Sequence, residues 1–176
     1  FQKTFDLDEQ LYDHLASDAA FYLHAEPLRH PLIFYFGHTA SFYINKLNIA
    51  RLIDRRINPA YESMFAIGVD EMSWDDLSAK NYNWPRVDEV REYRRAVRDL
   101  LTGLIGELPL SIPITWDSPF WAIMMGIEHQ RIHLETSSVI IRRMPIDEVR
   151  PLAGWEPCPH AGPAPTNSLV AVPGGK

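Results

Sequence analysis

Four stretches of the chain repeat apolar residues at helical spacing, and no run between them alternates as a strand would. The first is predicted from about Asp8 to Leu23, with Leu11, Leu15, Ala19 and Tyr22 on one side, and Asp6 with Glu9 at its start has the spacing of a capping box. The second begins at Pro31, which suits a first helical position because it has no N–H to leave unpaired, and continues to about Ile53. Phe34, His38, Ser41 and Asn45 fall along one of its faces. The third starts near Pro85 and runs through Val87, Val90, Tyr93, Val97, Leu100, Leu101 and Leu104, with a charged face opposite that reads as solvated. The fourth opens at Ser118-Pro119 and runs to about Met144, where Pro145 stops it. Four apolar-striped helices predict an all-α fold, an up-and-down four-helix bundle over residues 1–150.

One connection, between the second and third helices, is long. From about Ile57 to Trp84 it holds Asn58-Pro59, a short helix expected over Ala60 to Phe65, and then Gly68-Val-Asp-Glu-Met-Ser-Trp-Asp-Asp-Leu77. Its aromatic and apolar content argues for order. Asp70, Glu71, Asp75 and Asp76 lack the alternation and central glycine of a calcium loop, so the favoured reading is Ser73 capping a short helix with acids in its first turn. From Pro151 to Lys176 recurrent proline and glycine predict an extended tail, with Cys158 and His160 as linker residues. The chain opens at Phe1 and stops at Val172-Pro-Gly-Gly-Lys176 without a closing element, which reads as a piece of a longer polypeptide.

Composition narrows the function classes. A hydrophobic fraction of 46% and a charged fraction of 23% fit a globular domain, and a net charge of −6 gives no support to nucleic-acid binding. No apolar run is long enough for a membrane span and no signal peptide is visible, while a single cysteine excludes an internal disulfide framework. The cytoplasm is the expected compartment.

The candidate chemistry lies in three histidines. His129 and His133 are four apart on the fourth helix, so both rings project from one face and can share a metal ion. His38, from a facing helix, would complete a three-nitrogen site with coordination positions left open. Glu135, two residues past His133, points about 200° away and is a poor ligand; it could pair with Arg131 or orient a histidine of a neighbouring helix. Gly126, one turn below His129, serves either to leave space beside the metal or to pack two helices closely. Ser41 and Asn45 would need partners if buried, which a polar substrate could supply. Arg51, Arg55 and Arg56 read either as a solvated basic helix end or as holders of a substrate carboxylate, and Tyr35, Tyr43 and Tyr82 as proton donors or packing residues.

The segments His30-Pro-Leu-Ile-Phe-Tyr-Phe-Gly-His38, Gly68 to Leu77 and Ile127-Glu-His-Gln-Arg-Ile-His-Leu-Glu-Thr-Ser-Ser138 resemble the N-terminal domain of the ovothiol-pathway (5-histidylcysteine) sulfoxide synthases. The His-x₃-His-x-Glu pattern is shared with ergothioneine-pathway synthases, and the acidic Trp-containing segment points to the ovothiol branch. The resemblance implies a DinB-like bundle that binds non-haem Fe(II) through His38, His129 and His133 and couples the sulfur of L-cysteine to the imidazole of L-histidine with O₂. It also implies a following formylglycine-generating-enzyme-like domain that completes the pocket, with Leu169 to Lys176 as the start of its first strand. Two other classes remain: a DinB-like divalent-metal-dependent thiol transferase or hydrolase, and a non-enzymatic helical scaffold with incidental histidines.

Overall fold

A computed structural model describes residues 1–66, 82–156, 159, 162–164 and 166–175. The acidic segment from Gly68 to Leu77, with Ser73, and the residues Cys158 and His160 lie outside these described residues. Among them are the α-helices α1 (Gln2–Tyr12), α2 (Leu32–Ile49), α3 (Pro59–Met64), α4 (Val87–Glu107) and α5 (Phe120–Ile141), with 3₁₀ turns at Asp18–Tyr22 and Ile146–Glu148. The described fold is all-helical, and its β pairing is a single antiparallel bridge between Leu15 and Val149.

Helix α2 is the centre. Every residue from Leu32 to Ser41 is buried, as expected of a helix apolar on all sides, and α1, α3, α4 and α5 gather around it and one another. Its end comes four residues before the expected Ile53. Arg51 adopts a left-handed φ of 56°, its N–H donates to the Asn48 carbonyl at 3.1 Å, and the Leu52 N–H donates to the Leu47 carbonyl at 2.9 Å. These two bonds form a Schellman motif that satisfies the last carbonyls without glycine. The α3 helix begins where Asn58 accepts from the Tyr61 N–H ahead of Pro59 at the first helical position.

The first helix differs most from the sequence reading: it occupies Gln2–Tyr12 rather than Asp8 to Leu23. Beyond Tyr12 the backbone pairs elsewhere, Ala16 N–H with the Glu148 carbonyl at 2.9 Å and Arg150 N–H with the His14 carbonyl at 2.8 Å. Asp6 and Glu9 form no capping box, because both carboxylates face α4: Asp6 binds Arg98 at 2.6 Å and Glu9 binds Arg94 at 2.5 Å. On α4 half of a capping box is present, the Arg86 N–H donating to Glu89 Oε2 at 2.9 Å, while the Glu89 N–H donates to Asp88 Oδ1 at 2.9 Å. The apolar stripe of α4 is buried as expected at Val87, Val90, Tyr93, Val97 and Leu101. Its charged side is not all solvated, because Arg94 is 1% exposed.

A buried guanidinium must find partners for its donors. Arg94 donates to Asp8 Oδ2 at 2.8 Å, to Thr39 Oγ1 at 2.9 Å, to Glu9 and to the Phe36 carbonyl. Asp8 Oδ2 also accepts from Thr39 at 3.0 Å and from Gln130 Nε2 at 3.0 Å, and Gln130 Oε1 accepts from the Tyr43 hydroxyl at 2.9 Å. Burial opposes the Arg94 charge, but Glu9 and Asp8 outweigh it and raise its pKa further above the usual guanidinium range. Replacing Arg94 by Met strands Asp8 in the core, and a urea melt of Arg94→Met is expected to show a loss of about 3–5 kcal/mol. A loss below about 1 kcal/mol would mean that the pair contributes no more than a surface ion pair.

Candidate metal centre

Helix α2 carries His38, and α5 carries His129 and His133 one turn apart. Two glycines let the surrounding aromatics come close enough to fix these helices. A Cβ at Gly126 would collide with the ring of Tyr43, whose hydroxyl bonds to Gln130 on the next turn of α5. Gly126 therefore serves close α2–α5 packing, and the space beside it belongs to Tyr43. A Cβ at Gly37 would collide with the ring of Phe65 in the same way. With that ring against α2, the Phe65 carbonyl lies 2.6 Å from His38 Nδ1.

That carbonyl decides the tautomer of His38. A carbonyl can only accept, so Nδ1 carries the proton and Nε2 presents a lone pair. His38 Nε2 lies 3.1 Å from His129 Nε2, which lies 3.2 Å from His133 Nε2. The candidate ligand atoms of the three residues all fall within 4.8 Å of one another. Metal–nitrogen bonds of about 2.0–2.1 Å at angles between square and tetrahedral would set ligand nitrogens about 2.9–3.4 Å apart. The spacings of 3.1 and 3.2 Å fall inside that window, so two of the three nitrogen pairs already stand at ligand distance and the triad could hold a metal ion.

The surroundings favour neutral imidazoles, the form a metal needs. Burial, then the charges of His38 and His133, then Lys46, push the His129 pKa down to about 2. Burial, then His38, then Arg29, push that of His133 down to about 3. Phe42, one turn after His38, stacks on His129 with ring centroids 3.6 Å apart and planes 7° apart. Phe34, one turn before His38, stacks on it at 5.2 Å. Tyr35 leans on His133 at 5.7 Å, and Thr136 Oγ1 is 3.4 Å from His133 Nδ1. These aromatic contacts restrict the rotation of the histidine rings.

Other residues singled out in the sequence have ordinary roles. Glu135 is exposed, and among the described residues it makes no ion pair. Arg131 Nε donates to Thr4 Oγ1 at 3.1 Å instead of meeting Glu135. Ser41 donates to the His38 carbonyl at 3.1 Å, and Asn45 bonds to the Glu62 carbonyl and to Arg56, so neither awaits a substrate. Arg51 and Arg55 are exposed, and Arg56 reaches the buried carboxylate of Glu62 at 3.4 Å. Tyr43 is a packing residue, and Tyr82 stacks on Trp84 at 4.5 Å. Phe65, Phe42 and Gln130 were not evident as site residues. Phe42 could have been found by stepping one turn from His38, whereas the Phe65 carbonyl has no side-chain signature at all.

With this geometry in view, residues 5–137 match the DinB superfamily. The chain belongs to that superfamily. The DinB domain is also 26% identical over 121 residues to "Ergothioneine biosynthesis protein 1" of Neurospora crassa, a match covering 62% of this chain and 13% of that protein. Among the described residues no helix is long and apolar enough to cross a membrane.

The depressed histidines have a consequence for the metal-free DinB domain. An unfolded imidazole titrates near 6.5, so below that pH the unfolded chain takes up protons that the folded one refuses. Stability is therefore fully present above about pH 6.5 and falls on acidification, by up to about 1.4 kcal/mol per pH unit for each such histidine. Urea melts of chelator-treated protein at pH 7 and pH 5 are expected to show this loss, and His129→Gln to show a shallower one. Equal slopes in parent and variant would show that His129 is not held neutral.

Proposed function

We propose that this DinB domain is the metal-binding domain of a non-haem Fe(II) sulfoxide synthase, which couples the sulfur of L-cysteine to the imidazole of L-histidine in ovothiol biosynthesis. The observation that carries this reading is the convergence of three Nε2 atoms, 3.1 and 3.2 Å apart in sequence of contact, at the meeting of α2 and α5. The N. crassa relative, whose name places it in ergothioneine biosynthesis, supports a sulfur–imidazole chemistry of this kind. The acidic Trp-containing segment from Gly68 to Leu77 is what favours 5-histidylcysteine sulfoxide as the product.

The reaction consumes a thiol S–H, an imidazole C–H and one O₂. It forms a C–S and an S=O bond, and the second oxygen atom leaves as water. Iron, when bound, supplies oxygen activation and a place for the thiolate. His38, His129 and His133 would hold it, and the rest of the domain keeps them ready. The Phe65 carbonyl keeps the His38 proton on Nδ1, burial keeps His129 and His133 neutral, and Phe34 and Phe42 hold the ring planes. Because His38, His129 and His133 would all bind as neutral imidazoles, they would add no negative charge to a bound iron, and the site would suit an anionic thiol group.

In this reading residues 1–150 form a DinB-type four-helix bundle working in the cytoplasm, and residues 151–176 lead into a formylglycine-generating-enzyme-like domain that packs on the metal face and completes the pocket. Anaerobic Fe(II) titration is expected to give about one equivalent per chain, with affinity at least about tenfold weaker in His38→Ala, His129→Ala or His133→Ala. Unchanged binding in any of the three would sink the reading. Preferential retention of zinc, with no thiol-dependent O₂ uptake once the second domain is present, would favour the thiol transferase or hydrolase class instead.

A further inference from the structure

The three rings of the triad differ in what their second nitrogen meets. His38 Nδ1 donates to the Phe65 carbonyl at 2.6 Å. His133 Nδ1 lies 3.4 Å from the Thr136 hydroxyl, a group able to accept or donate. His129 Nδ1 is buried and, among the described residues, has no hydrogen-bond partner. Its ring lies flat on Phe42, with centroids 3.6 Å and planes 7° apart. An N–H in the plane of a parallel stack runs alongside the neighbouring ring and not into its face, so Phe42 accepts nothing from it.

The other nitrogen of His129 is well supplied. Its Nε2 lies 3.1 Å from His38 Nε2 and 3.2 Å from His133 Nε2. His38 Nε2 carries a lone pair, because the Phe65 carbonyl holds the proton of that ring on Nδ1. A neutral His129 has one N–H to place. On Nε2 the proton makes a hydrogen bond to His38. On Nδ1 it is a buried donor with nothing to receive it, and two lone pairs then face each other across 3.1 Å. Both comparisons favour Nε2.

A metal ion held by three Nε2 atoms needs the opposite, a lone pair on each. We propose that His129 is the switching ligand of the metal centre. Without metal it carries its proton on Nε2 and donates it to His38. To bind metal it gives up that proton and takes one at Nδ1, with no net uptake or release. His38 needs no such change, and Thr136 serves either form of His133. A metal-bound histidine ordinarily donates its second N–H to a neighbouring acceptor, which strengthens it as a ligand. His38 has that support and His129 lacks it, so His129 is the weakest of the three, the last to bind and the first to leave. This rests on the metal-centre reading above and adds to it the order in which the ligands engage.

The test is long-range proton–nitrogen correlation NMR on the full isotope-labelled chain at pH 7, with the three rings assigned through their backbone. Spectra are taken metal-free and with zinc(II) as a diamagnetic probe. The metal-free protein is expected to show His38 protonated on Nδ1 and His129 on Nε2. Zinc is expected to move the His129 proton to Nδ1 and to leave that of His38 in place. Zinc affinity is expected to fall at least about tenfold further in His38→Ala than in His129→Ala. A His129 already protonated on Nδ1 without metal, or equal losses in the two variants, overturns the proposal while leaving the metal centre intact. Failure of the parent to bind zinc removes the metal-centre reading and this proposal with it, and zinc stoichiometry tells that failure apart from a wrong tautomer.

Discussion

The satisfaction of one buried guanidinium constrains the whole domain. Arg94 projects from α4 into the buried interior, away from bulk solvent, and its partners lie on α1 and α2. Asp8, which neutralises it, also accepts from Gln130 on α5. Four helices thus have their relative depth and rotation set by where a single charge can be accommodated. The surface pairs of Arg91 with Glu9 and of Arg98 with Asp6 continue the same α1–α4 contact, but solvent screens them and they add little alone.

The histidine triad inherits its precision from this interior. Gln130 follows His129 directly, and its amide is held at both ends, by Asp8 and by Tyr43. The Tyr43 ring occupies the space that a side chain at Gly126 would need, which fixes the distance between α2 and α5. The triad spans those two helices, so nitrogen spacings near 3 Å follow from packing contacts made one turn away. Gly37 and Phe65 do the same for the orientation of His38. Stability and site geometry are therefore set by the same contacts.

Much of this was legible in the sequence. Helical periodicity gave α2, α4 and α5 to within a few residues, because each carries a continuous apolar stripe or is apolar throughout. The four-residue spacing of His129 and His133 gave their shared face. What failed were inferences from local chemistry where tertiary partners won. Asp6 and Glu9 had the spacing of a cap but face arginines on α4. Leu11, Leu15, Ala19 and Tyr22 had the period of one helix, yet backbone pairing with residues after α5 ends it at Tyr12. Arg94 looked like a solvated charge because its partner Asp8 is 86 positions away. Long-range pairing of this kind has no local signature, and a backbone carbonyl such as that of Phe65 has none of any kind.

Helix α5 carries His129 and His133 and, between them in the chain, the glutamine that anchors the helix to the core. Each residue of an α-helix turns the chain by about 100°, so these three directions are locked together by helical geometry alone. The metal face and the core anchor cannot be adjusted separately: rotating the helix to move a ligand would pull Gln130 from Asp8. Substitutions can change what surrounds the triad, but a single inserted or deleted residue between His129 and His133 would put anchor and ligands on different faces. In this stretch, chain length is as strict a determinant as residue identity.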